Sequence, residues 1–239
     1  MNEKPSILAV VPARGGSKTI PRKNLALLNG LPLLAYPIRL GLESALVDRV
    51  ILSTDDEEIA AAGKELGAEV PFMRPDDLAA DDTPDRPVFR HVLEFLAERE
   101  GYKPDFVLNL RCTTPLKTVD DIREVVETWR KTGSDSVRTM TRVEGVFHPY
   151  WMYRHEGDLA KTFVEDLEID KYYQRQTLPP VYRLNGLVDG IRADVILNHA
   201  SFWGDEIAMV ETPEIRSVDI DTELDLQMAE LLVKRVFPG

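Results

Sequence analysis

One cysteine, Cys112, is all the thiol this chain carries. That excludes an intrachain disulfide and suits a reducing cytoplasm. Cys112 follows an apolar run and has no base beside it in sequence, so it reads as a packed thiol rather than a nucleophile. Histidine is scarce: His91, His148, His155 and His199 share no ligand spacing, and no zinc site is expected. Long apolar runs are missing. The longest stretch, 25–42, is broken by Asn29, Pro32, Pro37 and Arg39, which argues against a membrane span. The run 7–11 is too short for a signal-peptide core and leads into Arg14. Positive charge is in deficit: 29 Lys and Arg against 41 Asp and Glu leave a net charge of -12. Binding a nucleic-acid polymer needs a spread basic surface, so that class of partner is excluded, whereas a single nucleotide needs only a local basic pocket. Internal repeats are absent, as are the P-loop, the G-x-G-x-x-G fingerprint and the G-x-S-x-G elbow.

Against this acidic background one stretch is locally inverted. The apolar run 7–11 ends in Pro12-Ala13-Arg14-Gly15-Gly16-Ser17-Lys18, followed by Pro21-Arg22-Lys23-Asn24. Arg14, Lys18, Arg22 and Lys23 fall within ten residues with no acid among them. A polyanionic ligand is the simplest reason. Gly15, Gly16 and Ser17 let backbone N–H groups approach phosphate oxygens, and the cations neutralise them. The other reading is a solvated loop whose charges do nothing.

At 239 residues the chain suits one α/β domain. Short apolar strands are expected at 7–11, 50–54, 69–72, 106–110, 136–141, 187–191 and 207–210. Amphipathic helices are expected at 33–44, 57–66, 85–100, 119–131, 194–198 and 222–236. The alternation indicates α/β with a mainly parallel, doubly wound, Rossmann-like sheet. The region 143–180 has neither period and clusters Phe147, Tyr150, Trp151, Tyr153, Tyr172 and Tyr173. It reads as a small β-rich excursion from a single domain spanning 1–239, and such a segment often packs on a partner chain.

A second sharp feature lies near the end. In Asp219-Ile220-Asp221 the carboxylates are two apart, so in an extended segment they share a face and can share one hard cation such as Mg²⁺. Alternatively, Asp221 stabilises the last helix and Asp219 sits in solvent. The acidic run 76–82 and Thr113-Thr114-Pro115 are, by themselves, a helix start and a turn. Thr222 and Asp225 are spaced like a capping box.

Taken together and in order, these segments resemble the CMP-sialic acid synthetase (acylneuraminate cytidylyltransferase) family. Pro12, Ala13, Arg14, Ser17, Lys18, Pro21, Lys23 and Asn24 match its signature loop. Ser53-Thr54-Asp55, Arg74-Pro75 with Leu78, Ala79 and Asp82, Thr113-Thr114-Pro115-Leu116, Arg183-x-Asn185-Gly186 and Ser217-x-Asp219-Ile220-Asp221-Thr222 resemble its later motifs. The resemblance implies a nucleotidyltransferase acting on CTP and an acidic nonulosonic sugar with Mg²⁺, in a cytoplasmic homodimer whose 143–180 excursion completes the partner's sugar site. It implies that Arg14, Ser17, Lys18, Lys23 and Asn24 hold the phosphates and ribose. Arg74, Ala80 and Asp82 would lie by the base and ribose. Arg111, Thr113, Arg183 and Asn185 would face the sugar, and Asp219 and Asp221 would hold the metal. Arg14, Lys23, Asp219 and Asp221 are the residues expected to carry catalysis. The chain departs from the family's pattern at Arg111, Cys112, Lys117 and Asp189, which leaves the sugar open. Rival readings are a nucleotidyltransferase for another, eight-carbon acidic sugar and a non-catalytic nucleotide-sugar sensor.

Overall fold

The run of buried apolar residues near the N-terminus is the axis of the architecture. In the computed structural model, which describes residues 4–237, β1 (Ile7–Pro12) lies inside a six-stranded sheet. Its side chains alternate between two cores. Ile7, Ala9 and Val11 point into one, and Leu8 and Val10 into the other. Apolar residues at every position of β1 are what a strand covered on both faces requires.

The chain continues through a short hairpin, β2 (Leu27–Leu28) and β3 (Leu31–Pro32), into α1 (Ala35–Glu43), β4 (Arg49–Ser53) and α2 (Glu57–Glu65). Then come α3 (Asp85–Glu100), β5 (Phe106–Asn109), α4 (Val119–Thr132) and β6 (Ser136–Arg142). A surface hairpin, β7 (Tyr153–Glu156) and β8 (Leu159–Thr162), precedes β9 (Tyr182–Arg192), α5 (Ala193–Asn198), β10 (Ile207–Glu211) and α6 (Glu223–Val236). The sheet order is β10-β6-β9-β5-β1-β4. Pairings β1–β4, β1–β5 and β6–β10 are parallel, while β9 runs antiparallel to β5 and β6. Helices α1, α4 and α6 contribute to one core, and α3 and α5 to the other. The expected α/β fold with a mainly parallel, doubly wound sheet is therefore borne out.

Several local expectations hold for identifiable reasons. Asp56 caps α2, its side chain accepting from Glu58 N at 3.0 Å and Ile59 N at 2.9 Å. Thr118 with Asp121, and Thr222 with Asp225, form full capping boxes on α4 and α6. Others fail. The strand expected at 69–72 is one parallel bridge, Ile51 with Glu69, because Pro71 removes the donor the ladder would need next. The excursion 143–180 is not β-rich: it holds one hairpin of two four-residue strands and several 3₁₀ turns. Finally, β9 begins at Tyr182 rather than at Leu187, and its register against β6 shifts opposite Arg138–Met140, where β9 carries the extra residues, among them Gly186 with φ of 62°.

Candidate active site

Because β1 is flanked by β4 on one side and β5 on the other, the chain leaves β1 and β5 at the point where the winding reverses. In open α/β sheets the crevice at the carboxyl ends of such strands is where ligands bind. A cleft of about 440 Å³ opens there. It is lined by the loop after β1, the segment before α3, the loop after β5, and Asp221.

The loop after β1 is built, not slack. Ala13 N donates to Ser53 O at 3.0 Å, and Gly15 N donates to Asp55 Oδ1 at 3.0 Å. A Cβ on Gly15 would come within 2.8 Å of the Asp56 carboxylate, so a larger residue would push the loop off the start of α2. The Gly15 N–H is thus engaged by Asp55, and Ser17 N donates to Gly15 O at 3.1 Å. The loop's cations, more than these two amides, face the cleft. Asn24 is buried, and its Nδ2 donates to Arg14 O at 2.9 Å, which pins one end of the loop to the other. Lys23 Nζ donates to Ile220 O at 2.8 Å and to Asp221 Oδ1 at 2.9 Å, joining the two ends of the sequence across the cleft. Arg22 turns away: its guanidinium pairs with Asp56 and Glu58 at the start of α2.

Arg14, Ser17, Lys18, Lys23, Asn24, Arg74, Ala80, Arg111, Thr113 and Asp221 all line the cleft. Five of these are cations, and only Asp81, Asp85 and Asp221 oppose them, in a chain of net charge -12. Arg74 is 6% exposed, donating Nε to Ser53 Oγ at 3.0 Å and Nη2 to Ser53 O at 2.5 Å. Burial lowers its pKa from the ordinary value. Asp81 sits on the loop's cations, accepting from Arg14 Nη1 at 2.5 Å and pairing with Lys18. Those two contacts, Lys18 first, hold its carboxyl below the usual range.

Four expected site residues stand elsewhere. Asp82 does not line the cleft; its neighbour Asp81 does, because the turn before α3 presents that side chain to Arg14 and Lys18. Arg183 is exposed on the outer half of β9, opposite Thr141 of β6, and does not reach the cleft. Asn185 is buried with its amide committed: Nδ2 donates to Thr212 Oγ1 at 2.6 Å and Ser217 Oγ at 3.2 Å. It is a strut for the 217–221 segment. Asp219 is exposed and outside the cleft lining, near the ammonium of Lys117.

Sequence reasoning missed Asp85 and the supports beneath the site. Lys117 is 3% exposed, and its Nζ donates to Arg111 O at 2.7 Å and to Thr114 O and Oγ1, stitching the loop after β5 together. Burial pushes its pKa down to about 7. Cys112 is 2% exposed, and burial pushes its thiol up to about 12. Arg216 grips the buried Asp121 with both nitrogens, and Ile220 N donates to Thr113 O at 2.8 Å. These contacts anchor the segment bearing Asp219 and Asp221. Nothing in one-dimensional spacing signalled them, since the partners lie about a hundred residues apart.

An open α/β sheet with a cationic loop at its switch point is an arrangement suited to a ligand that carries phosphate groups. The comparisons narrow this. The cytidylyltransferase family profile matches residues 8–235. A CMP-N,N'-diacetyllegionaminic acid synthase of Legionella pneumophila is 36% identical over 234 residues, 95% of this chain and 96% of that one. A pseudaminic acid cytidylyltransferase of Campylobacter jejuni is 31% identical over 229 residues, 95% and 96% of the two chains. A solved CMP:2-keto-3-deoxy-manno-octonic acid synthetase complexed with CTP aligns at a TM-score of 0.69 over 96% of this chain and 99% of that one. At 17% identity, that likeness shows the fold alone. The chain belongs to the cytidylyltransferase family and is a nucleotidyltransferase, and the likeness to CMP-sialic acid synthetases read from its motifs is borne out. Among the described residues no helix is long and apolar enough to cross a membrane.

Proposed function

We propose that this chain transfers the cytidylyl group of CTP to an acidic nonulosonic sugar, giving a CMP-sugar and diphosphate. The observation that carries the reading is the cleft itself: Arg14, Lys18 and Lys23 gathered on one loop and facing Asp221, in an otherwise acidic protein. The acceptor class follows from relatives named for legionaminic and pseudaminic acids.

In the reaction the anomeric hydroxyl attacks the α-phosphorus in line. The new O–P bond forms as the bond from the α-phosphorus to the bridging oxygen breaks, and diphosphate departs with that electron pair. Negative charge spreads over the phosphoryl and leaving oxygens, so positioning and charge stabilisation are what the protein supplies. Arg14, Lys18 and Lys23 are equipped for this, and entry of the triphosphate exchanges Asp81 for phosphate oxygens on Arg14 and Lys18. The hydroxyl proton passes to a carboxylate of the Asp219/Asp221 pair. The same two residues would hold Mg²⁺. Their donor chemistry fits: both offer hard oxygens, and Asp221 is 71% exposed with an Oδ2 that accepts no hydrogen bond among the described residues. Among those residues no cluster of three or more acidic, His or Cys side chains is placed to hold a metal unaided. A cation that takes few carboxylates and completes its shell with phosphate oxygens is the one such a pair suits. When bound, it would supply charge stabilisation at those oxygens. The exposed apolar side chains of the excursion, Val146, Phe147, Leu159, Phe163 and Tyr173, support a homodimer. The single buried thiol supports a cytoplasmic location.

The test is diphosphate release from CTP and Mg²⁺ with a panel of N-acetylneuraminate, its deaminated form, legionaminate, pseudaminate and the eight-carbon sugar Kdo. Release with a nine-carbon acid is the expected result. Release with Kdo alone would establish the eight-carbon rival, and CTP binding without release from any sugar would establish a sensor. Normal turnover by both Asp219→Asn and Asp221→Asn at saturating Mg²⁺ would remove the carboxylate assignments.

A further inference from the structure

Arg111 and Asp189, two positions that left the sugar open in the sequence, are partners. Arg111 Nη1, in the loop after β5, donates to Asp189 Oδ2 of β9 at 2.8 Å. Asp189 is fully buried and also accepts from Arg138 Nε and Nη2, both at 3.3 Å. Arg138 in turn lies over the Trp203 ring, 3.6 Å from its centroid. On the cleft side Arg111 Nη2 donates to Asp85 Oδ2 at 2.5 Å, where Asn109 Nδ2 also donates at 3.2 Å. Two guanidiniums and two carboxylates make this corner neutral.

A buried carboxylate stripped of a partner is strongly unfavourable, so Asp189 holds the Arg111 charge inward. Burial works against that charge, yet Asp85 and Asp189 together raise the Arg111 pKa above its ordinary value. Arg111 is therefore not a cation that a substrate anion can recruit, in contrast to Arg14 and Lys18, whose partner Asp81 lies at the surface. What it offers the cleft, with Asp85, is a donor and an acceptor side by side. Among the described residues, Asp85 Oδ1 and Arg111 Nε have no hydrogen-bond partner. A hydroxyl matches such a pair, because one oxygen both donates to the carboxylate and accepts from the guanidinium. A second anion would meet Asp85 unfavourably. An acylamino group carries its N–H and C=O in opposed directions and would satisfy only one of the two.

We propose that Arg111 and Asp85 form a neutral subsite that reads a sugar hydroxyl, with the buried Asp189 as the residue that positions Arg111. This rests on the nucleotidyltransferase reading above. Two sources of hydroxyl enter the cleft, the ribose of the nucleotide and the acceptor sugar. The experiment separates them by comparing kcat/KM for CTP against 2'-deoxy-CTP and 3'-deoxy-CTP, and for deaminated neuraminate against N-acetylneuraminate. These ratios do not depend on the fraction of protein folded. The wild type should favour the hydroxyl-bearing member of one pair by about tenfold or more, the scale of leaving a donor and an acceptor unpaired. Asp85→Asn and Arg111→Gln should collapse that ratio towards one, and Asp189→Asn should narrow it from outside the cleft. Asp85→Asn leaves the Arg111–Asp189 pair intact and guards against a folding failure in the others. Variants that lower every substrate equally, or leave all ratios unchanged, overturn the inference. A wild type that releases no diphosphate with any sugar instead removes the reading on which it rests, and the inference with it.

Discussion

Arg216 offers a direct test of how the carboxylate segment is held. Its guanidinium donates Nη2 to Asp121 Oδ1 at 2.8 Å and Nη1 to Oδ2, and Asp121 is 2% exposed at the start of α4. Arg216→Met keeps most of the stem and deletes the charge, leaving Asp121 buried with only Thr118 N and Oγ1 as donors. Removing one partner of a buried pair costs about 3–5 kcal/mol, and the two surviving hydrogen bonds put this case at the lower end, about 3 kcal/mol. For a chain of this size that corresponds to a fall in Tm of about 6–12 °C. Turnover should fall too, because residues 217–221 carry Asp219 and Asp221 and follow Arg216 directly. Asp121→Asn in the same chain removes the orphaned charge, so the double variant should recover most of the Tm while turnover stays low. Thermal melts and diphosphate release on the two variants check this. A single variant that melts within 2 °C of wild type, on the same size scaling, would refute the reasoning.

Three further outcomes follow from groups in the cleft wall and beneath it. Burial pushes the Lys117 pKa from its ordinary 10.5, the value for the unfolded chain, down to about 7. Between those values the unfolded chain holds the extra proton, so this group makes stability rise with pH by about 1.4 kcal/mol per unit. Lys117→Met should flatten that rise in urea melts run between about pH 7.5 and 9.5, and an unchanged slope would contradict it. Cys112, buried and with its thiol pushed up to about 12, should resist iodoacetamide in the folded protein and react in urea; rapid labelling without denaturant would count against the packing described. Asp81→Ala removes the internal anion on Arg14 and Lys18, so CTP should bind more tightly at low ionic strength, with the gain fading as salt is added. Calorimetric titration in two salt concentrations reads this, and unchanged affinity at low salt opposes the exchange of Asp81 for phosphate.

The fold was legible wherever local chemistry and burial agree. The run 7–11 could only be a strand covered on both sides. Helix α3 was read to the residue, because Pro84 marks its start and Gly101, with φ of 66°, its end. The basic loop was legible because its charge runs against the whole chain. The partners of Asn185 were not legible, for the opposite reason. In sequence it is a polar residue in a motif, and only folding brings Thr212 and Ser217 to its amide.

The residue types of this chain determined by themselves that it is an α/β protein, and that it carries a cationic loop and, far along the chain, two closely spaced acids. Periodicity and net charge are properties of neighbours along the chain, so they survive in one dimension. Which charges stay free was decided only by the tertiary structure. Arg14, Lys18, Arg22, Lys23 and Arg111 are alike in sequence. Folding turns Arg22 onto Asp56, commits Arg111 to Asp189 and Asp85, and leaves Arg14 and Lys18 against an exposed carboxylate. Desolvation gives that distinction its weight. A guanidinium paired in the interior cannot be recruited by a ligand, whereas one paired at the surface exchanges its partner at little cost.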